Sequence, residues 1–387
     1  MKKFILPAWI IASISLFLYS FTQVDLSLTF SRASIFQTIE KSFQYVGWFN
    51  RPLSALLYIL IISILFALYT LTLNLIRKKY IDRKKVFGIV LVVSAILFFS
   101  YNAFSYDLFN YIFDAKIITH YHENPYIHKA LDYSTDPMLS FMRWTHRVYP
   151  YGPAWLLVTV PLSFIGFNVF ILTFYLYKAL MFASFIGSVF LIEKIAKKSG
   201  RDVAFSVAAF ALNPLVLIES LVSAHNDIVM MFFGLLGLYL YLEKKYVNSF
   251  IWTLFSILVK FATGLMLVPI LLNKFFKLDK EKFFYVLILS MIIGVILATV
   301  RTQFQPWYLL FILPFSAFVS EKYFVIIPTL IISIFSLLQY LPYIYLGDWN
   351  PPVPFILSTL TLLSIAISLV VILLYRIFWA NTGRRRK

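Results

Sequence analysis

No cysteine occurs among the 387 residues. Disulfides, thiolate catalysis and cysteine-ligated metal centres are therefore excluded, and cysteine usage says nothing of redox compartment. Charge is scarce as well. Asp, Glu, Lys and Arg make up 13% of the chain, against roughly a quarter in a soluble domain. A P-loop, a dinucleotide fingerprint, an HExxH helix and a GxSxG elbow are all missing.

Apolar side chains fill the place of charge. They account for 61% of the sequence, and mean hydropathy is +0.84. Apolar runs lie at about 4–21, 53–76, 85–104, 167–193, 203–220, 227–242, 247–259, 260–273, 283–300, 304–320, 323–343 and 353–379. Many approach the ~20 residues a spanning helix needs. The fold class is all-α: a polytopic integral membrane bundle of about twelve segments, a single domain over 1–387. The first run lacks a small-residue cleavage site and is expected to stay as an uncleaved helix.

The formal charge of +17 points to topology rather than to nucleic acid, because cytoplasmic loops collect Lys and Arg. Basic clusters stand at the start, at 77–85, 194–201, 243–245 and 274–282, and at the end. With Lys322 and Arg376 they hold 24 of the 34 basic residues. If all are cytoplasmic, both termini lie inside. Residues 151–166, short and proline-punctuated, are then an interfacial or re-entrant segment, and 247–273 splits near Lys260 into two short helices.

This orientation collects the chemically interesting groups on the outer side. The largest outer loop, 105–150, carries acids, four of the five histidines and two arginines. Asp107 and Asp114 are seven apart, so a helix places both on one face with Asn110 and Tyr111. That face either aims its acids at a substrate or merely meets water. His120 and His122 lack a third ligand at metal spacing, and solvated histidines are expected. Asp107 and Asp114 could bind a divalent cation through oxygen, although no cofactor is required by the sequence. Arg143 and Arg147, four apart, would share a face if helical and suit a phosphate or an interfacial anchor. "AHND" occupies an outer turn with His225, Asn226 and Asp227. Lys260 is a lone cation in an apolar hairpin, and Arg301 opens "RTQFQPWY". Ionisable groups at membrane depth are costly, about 2.5–3.5 kcal/mol at a helix centre, which marks them as functional candidates.

In order, "SYDLFNYIFDAK", "ENPY", "YPYGP", "LNPLVLIESLVSAHND", "LVKFATGLMLVP" and "QPWYLLFILP" cover about half the chain. This set resembles the GT-C membrane glycosyltransferases, and among them the polyprenyl-phosphate-mannose-dependent mannosyltransferases of bacterial envelopes. The resemblance implies an outer-face active site in the plasma membrane. Asp107 would be the base that deprotonates an acceptor hydroxyl, with inversion at the sugar and departure of polyprenyl phosphate. Arg143, Arg147, Lys260 and Arg301 would meet the phosphate. Asp114, Tyr151, Glu219, His225, Asn226, Asp227, Gln305 and Trp307 would contact substrate. The partners implied are a polyprenyl-phosphate-linked sugar donor, a glycan or lipid acceptor and membrane lipids. Two apolar runs precede the expected first segment of that family's core, and no soluble domain is expected after the last helix. The alternatives are a flippase for lipid-linked saccharides and an envelope-glycan polymerase or ligase. A flippase is the less favoured, since no internal repeat is visible.

Overall fold

The computed structural model describes residues 4–384, and the basic residues 2–3 and 385–387 counted above lie outside it. In chain order the helices are α1 (Ile5–Phe21), α2 (Ser34–Gln44), α3 (Arg51–Arg77), α4 (Arg83–Phe98), α5 (Asp107–Thr119) and α6 (Pro153–Ile165). They continue as α7 (Phe170–Lys198), α8 (Val203–Ala211), α9 (Pro214–Leu217), α10 (Asp227–Leu242), α11 (Tyr246–Val259) and α12 (Leu267–Phe276). The last are α13 (Lys280–Thr302), α14 (Leu313–Ser316), α15 (Tyr323–Leu338), α16 (Leu341–Leu346) and α17 (Val353–Arg384). Among the described residues there is no strand, only an isolated bridge between Lys129 and Val148.

Among the described residues, six stretches are long and apolar enough to cross a bilayer: Ile5–Thr22, Arg51–Arg77, Phe170–Lys198, Lys280–Thr302, Tyr323–Leu346 and Val353–Ile377. A seventh forms if the 56° bend between Val203–Ala211 and Pro214–Val222 counts as one broken span. The other apolar runs make shorter pieces. The run at 304–320, expected as a span, forms only the turns Pro306–Phe311 and Leu313–Ser316. Pro306 and Pro314, each at the start of its piece, interrupt the ladder because proline lacks an N–H. Residues 247–273 do split at Lys260, which leaves helical geometry with φ −155° and ψ 127°. The 13-residue α6 is about 20 Å long, too short for a bilayer core of roughly 30 Å.

The basic loops meet at one end of the bundle. Lys79 pairs with Asp202 at 3.4 Å, Lys198 with Glu243 at 2.7 Å, and Arg83 with Glu193. Glu281 takes both Arg201 at 3.3 Å and Lys322 at 3.1 Å. Exposed pairs of this kind add only about 0–1 kcal/mol each. Their information is geometric, because they join five separate loops. Three acids at this end are spent as helix caps. Asp82, Asp202 and Asp279 accept from the backbone N–H of Lys85, Phe205 and Lys282.

From that end α10 and α11 run to the other as an antiparallel pair. Lipid supplies no hydrophobic drive for helix association, so close approach of small residues and cross-helix hydrogen bonds must hold such pairs. Ser249 Oγ donates to the Gly237 carbonyl at 2.8 Å and Ser256 Oγ to that of Met230 at 2.6 Å. A Cβ at Gly237 would press on the Thr253 hydroxyl and on the α11 backbone. The sixteen residues of α10 span about 24 Å, which separates Asp227 from the basic end by most of a membrane core.

Candidate active site

Asp107 is the first residue of α5, where unpaired N–H groups and the helix dipole favour a carboxylate. The turn before it is fixed by Ser105, whose Oγ accepts from the Asp107 N–H at 3.1 Å. Leu108, Phe109, Ile112 and Phe113 are buried. Asn110 and Asp114 share the face of Asp107 by helical spacing. Asp114 is held up at about 8, first by burial and then by the charge of Asp107. It therefore carries its proton near neutrality, while Asp107 keeps 17% of its side-chain surface exposed.

The "AHND" turn is built by a broken helix. Asn213 caps α9 through Leu215 N–H, and Pro214 follows at its first position. The chain then widens into a π-turn over Ile218–Val222, the kind of irregularity often found at functional sites. Lys178 of α7, wholly surrounded by protein, reaches the freed carbonyls of Leu221 and Val222 and the Ser100 hydroxyl. Ala224 turns with φ 57°, and His225, Asn226 and Asp227 follow, all with no exposed surface.

His225 sits among three oxygens. Its Nδ1 is 3.0 Å from Glu219 Oε2, and its Nε2 is 3.0 Å from Ser105 Oγ and 3.7 Å from Asp107 Oδ2. Tyr340 donates to the other Glu219 oxygen at 2.9 Å. The Trp307 ring stacks on the imidazole at 4.1 Å. Tyr111 donates to Asn226 Oδ1 at 3.3 Å. Asp227 receives the Lys260 ammonium on both oxygens, at 2.8 and 2.9 Å. Lys260 stands where α11 ends, 5.9 Å from the ring centres of Tyr308 and Phe311, with 23% of its side chain exposed.

The "YPYGP" turn closes on the same place. Gly152 donates to the Val259 carbonyl at 3.2 Å, and a Cβ there would collide with the Leu258 carbonyl. Glycine is required for that approach, which sets the preceding residue, Tyr151, against Tyr111 at 5.3 Å between centroids. Around Tyr111 three buried polar atoms have no partner among the described residues: Asn110 Oδ1, Asn226 Nδ2 and Trp155 Nε1. Buried polar groups are normally satisfied, so these are groups a ligand can use.

The structure gathers Asp107, Asp114, Tyr151, Glu219, His225, Asn226, Asp227, Lys260 and Trp307 from five separated segments. Gln305 caps the Pro306–Phe311 turn that carries Trp307. The other cations stand differently. Residues 141–150 are not helical, with Trp144 at φ 58°, so Arg143 and Arg147 share no helical face. Arg143 lies 4.6 Å over the ring of Tyr106, the residue before Asp107, and 3.6 Å from buried Asp25. Arg147 is exposed and stacks on Trp144. Arg301 ends α13 exposed, with no ion pair among the described residues. Ser105 lies in the quoted "SYDLFNYIFDAK" motif but was not singled out, and Tyr340, Asp25 and Lys178 lie in no quoted motif. Of these, only Lys178 carries a signal that could have found it, a lone lysine in a long apolar run. Among the described residues no three His, Asp or Glu side chains are grouped to hold a metal ion.

These features define a polytopic helical membrane protein with a polar site at the end opposite its basic loops. The chain belongs to the alpha-(1->6)-mannopyranosyltransferase N-terminal-domain family, which it matches over residues 13–274. It is thus a glycosyltransferase of a mannose-transferring family. The match covers Asp107 through Lys260, while Trp307 and Tyr340 lie beyond it. No curated protein and no solved structure matches the chain.

Proposed function

We propose that the protein transfers mannose from a polyprenyl-phosphate-linked donor to an extracytoplasmic glycan or glycolipid, with inversion, and that Asp107 is the base. The observation that carries this reading is the convergence on Asp107 of His225, Glu219 and the Asp227–Lys260 pair. Asp107 is the partly exposed member of a set whose other acids, Glu219 and Asp227, are shielded. It can accept a proton from an incoming hydroxyl, as a general base must. The acceptor oxygen then bonds to the anomeric carbon while the bond from that carbon to the phosphate oxygen breaks. Polyprenyl phosphate leaves with the bonding pair.

Positioning follows from the surrounding contacts. Ser105 and His225 hold Asp107, and Glu219 and Tyr340 hold His225. Lys260 is presented by Asp227 at the exposed rim, where an ammonium can meet the phosphate as its charge grows; a donor of this kind is worth roughly 10²–10³ in rate. Arg143, over the ring of Tyr106, is a second cation beside the start of α5. Asn110, Asn226 and Trp155 offer free polar atoms to sugar hydroxyls. Asp114, protonated, adds a donor.

The outer location rests on the basic end lying opposite. Cysteine labelling tests it on a chain with no native cysteine. Arg147→Cys should react from outside and Lys79→Cys only from the cytoplasm; the reverse would place the site on the cytoplasmic side, open to soluble sugar donors, and overturn the outer location. Transfer is separated from flipping in proteoliposomes loaded with polyprenyl-phosphate-mannose. Product without net movement of lipid supports the enzyme, and movement without product makes the protein a flippase.

A further inference from the structure

On the opposite side of α5 from Asp107 lies a cleft of about 440 Å³, within the range of roughly 300–1,000 Å³ of ligand pockets. Lys116, at its floor, is nine residues beyond Asp107, which on a helix is about half a turn round and ~13 Å along. This is therefore a separate place from the cluster around His225. Its walls come from α5, the end of α6, the start of α7 and the loop 135–138.

The lining selects among ligand classes. Lys116 and Asp136 form an ion pair in which Asp136 also accepts from the Tyr121 hydroxyl at 2.7 Å. The two charges cancel, so the floor offers no net cation to a phosphate. The walls mix polar side chains (Thr135, Ser163, Asn168) with apolar ones (Ile112, Met138, Phe170), which suits a ligand with one polar and one apolar face better than an acyl chain. Tyr121 is stacked on Tyr133 at 3.9 Å between centroids, which fixes an aromatic side beside a carboxylate. A neutral ring with one apolar face and many hydroxyls suits these features together.

We propose that this cleft is an accessory saccharide subsite that holds a unit of the acceptor glycan away from the transfer site. The proposal rests on the glycosyltransferase reading for its role, but not for binding itself. Such a subsite holds a multi-sugar acceptor near the reaction site and raises its effective concentration there.

The test uses the full chain in nanodiscs with alpha-1,6-mannotriose as probe, followed by saturation-transfer NMR and titration calorimetry. Thr135→Trp and His120→Trp, both exposed wall positions, fill the cleft from its rim, and unchanged melting temperatures check that each variant folds. Wild type and Asp107→Asn should bind saturably with similar affinity, and each Trp variant should bind at least tenfold more weakly. In transfer assays the Trp variants should raise KM for the trisaccharide while leaving methyl mannoside unaffected. No saturable binding in the wild type overturns the subsite, as does binding lost in Asp107→Asn but kept in both Trp variants. If binding behaves as expected while no transfer product forms from any lipid donor, the enzymatic reading fails and the subsite stands.

Discussion

At the scale of single residues, the site is held by groups that work in pairs. Lys260 neutralises an Asp227 that has no exposed surface. Removing one partner of a buried pair costs about 3–5 kcal/mol because it strands the other charge. Lys260→Met should therefore destabilise the protein by about 3 kcal/mol in thermal melts. Lys260→Met with Asp227→Leu should recover much of that loss without restoring transfer. A double variant as unstable as the single would show that the pair is not the stabilising contact.

Asp114 makes the site sensitive to pH. Its carboxyl titrates near 8 in the folded chain against about 3.8 when free, so the native state holds the proton more tightly than the unfolded state. The resulting stability is complete below about pH 4 and is lost as pH rises through about 8. Asp114→Asn should exceed wild type in melting temperature by much more at pH 9 than at pH 5. Equal melting differences at the two values would show that Asp114 does not titrate in that window. Lys178 serves the backbone instead. Lys178→Met leaves the Leu221 and Val222 carbonyls unpaired, at about 1–3 kcal/mol for a buried group, and should lower both stability and transfer rate.

At the scale of elements, the helices at the site end where the chemistry begins. Asp107 opens α5, Asp227 opens α10, and Lys260 closes α11. The break at Lys260 was legible because one helix through it would have left lysines on the wrong side, and α5 was legible from the spacing of its acids. The segment 304–320 read as a span because its composition is apolar throughout. Its prolines divide it into turns that bury against the bundle instead. The pair Arg143–Arg147 misled for the opposite reason. Four-residue spacing has meaning only inside a helix, and the turn at Trp144 forbids one. Gly152 joins two elements through contact with the Leu258 carbonyl. Gly152→Ala should push the Tyr151 turn away from Lys260, cut transfer at least tenfold and lower the melting temperature. Wild-type activity would show that the turn tolerates a Cβ and does not set the site.

At the scale of the whole molecule, charge asymmetry and the site describe one axis. The basic loops that the sequence marks as a set are joined by ion pairs in space, and the acids that matter for chemistry lie a full helix away. Composition made the all-helical membrane fold readable, since nothing else accommodates so much apolar chain with so little charge. Glu219 was named from the sequence as a substrate contact, but the geometry of the cluster was not readable. Glu219 meets His225 where the 213–222 segment bends and widens, and Tyr340, which holds Glu219, comes from 121 residues further along. No periodicity or motif records such a tertiary contact.

The central claim is that Asp107 removes the acceptor proton. It is tested most directly by transfer with purified protein, synthetic polyprenyl-phosphate-mannose and a mannoside acceptor, comparing wild type with Asp107→Asn. The account predicts a turnover lower by about 10²–10⁴-fold, the usual contribution of a general base, with donor binding and melting temperature retained. Turnover within a factor of two of wild type would contradict it.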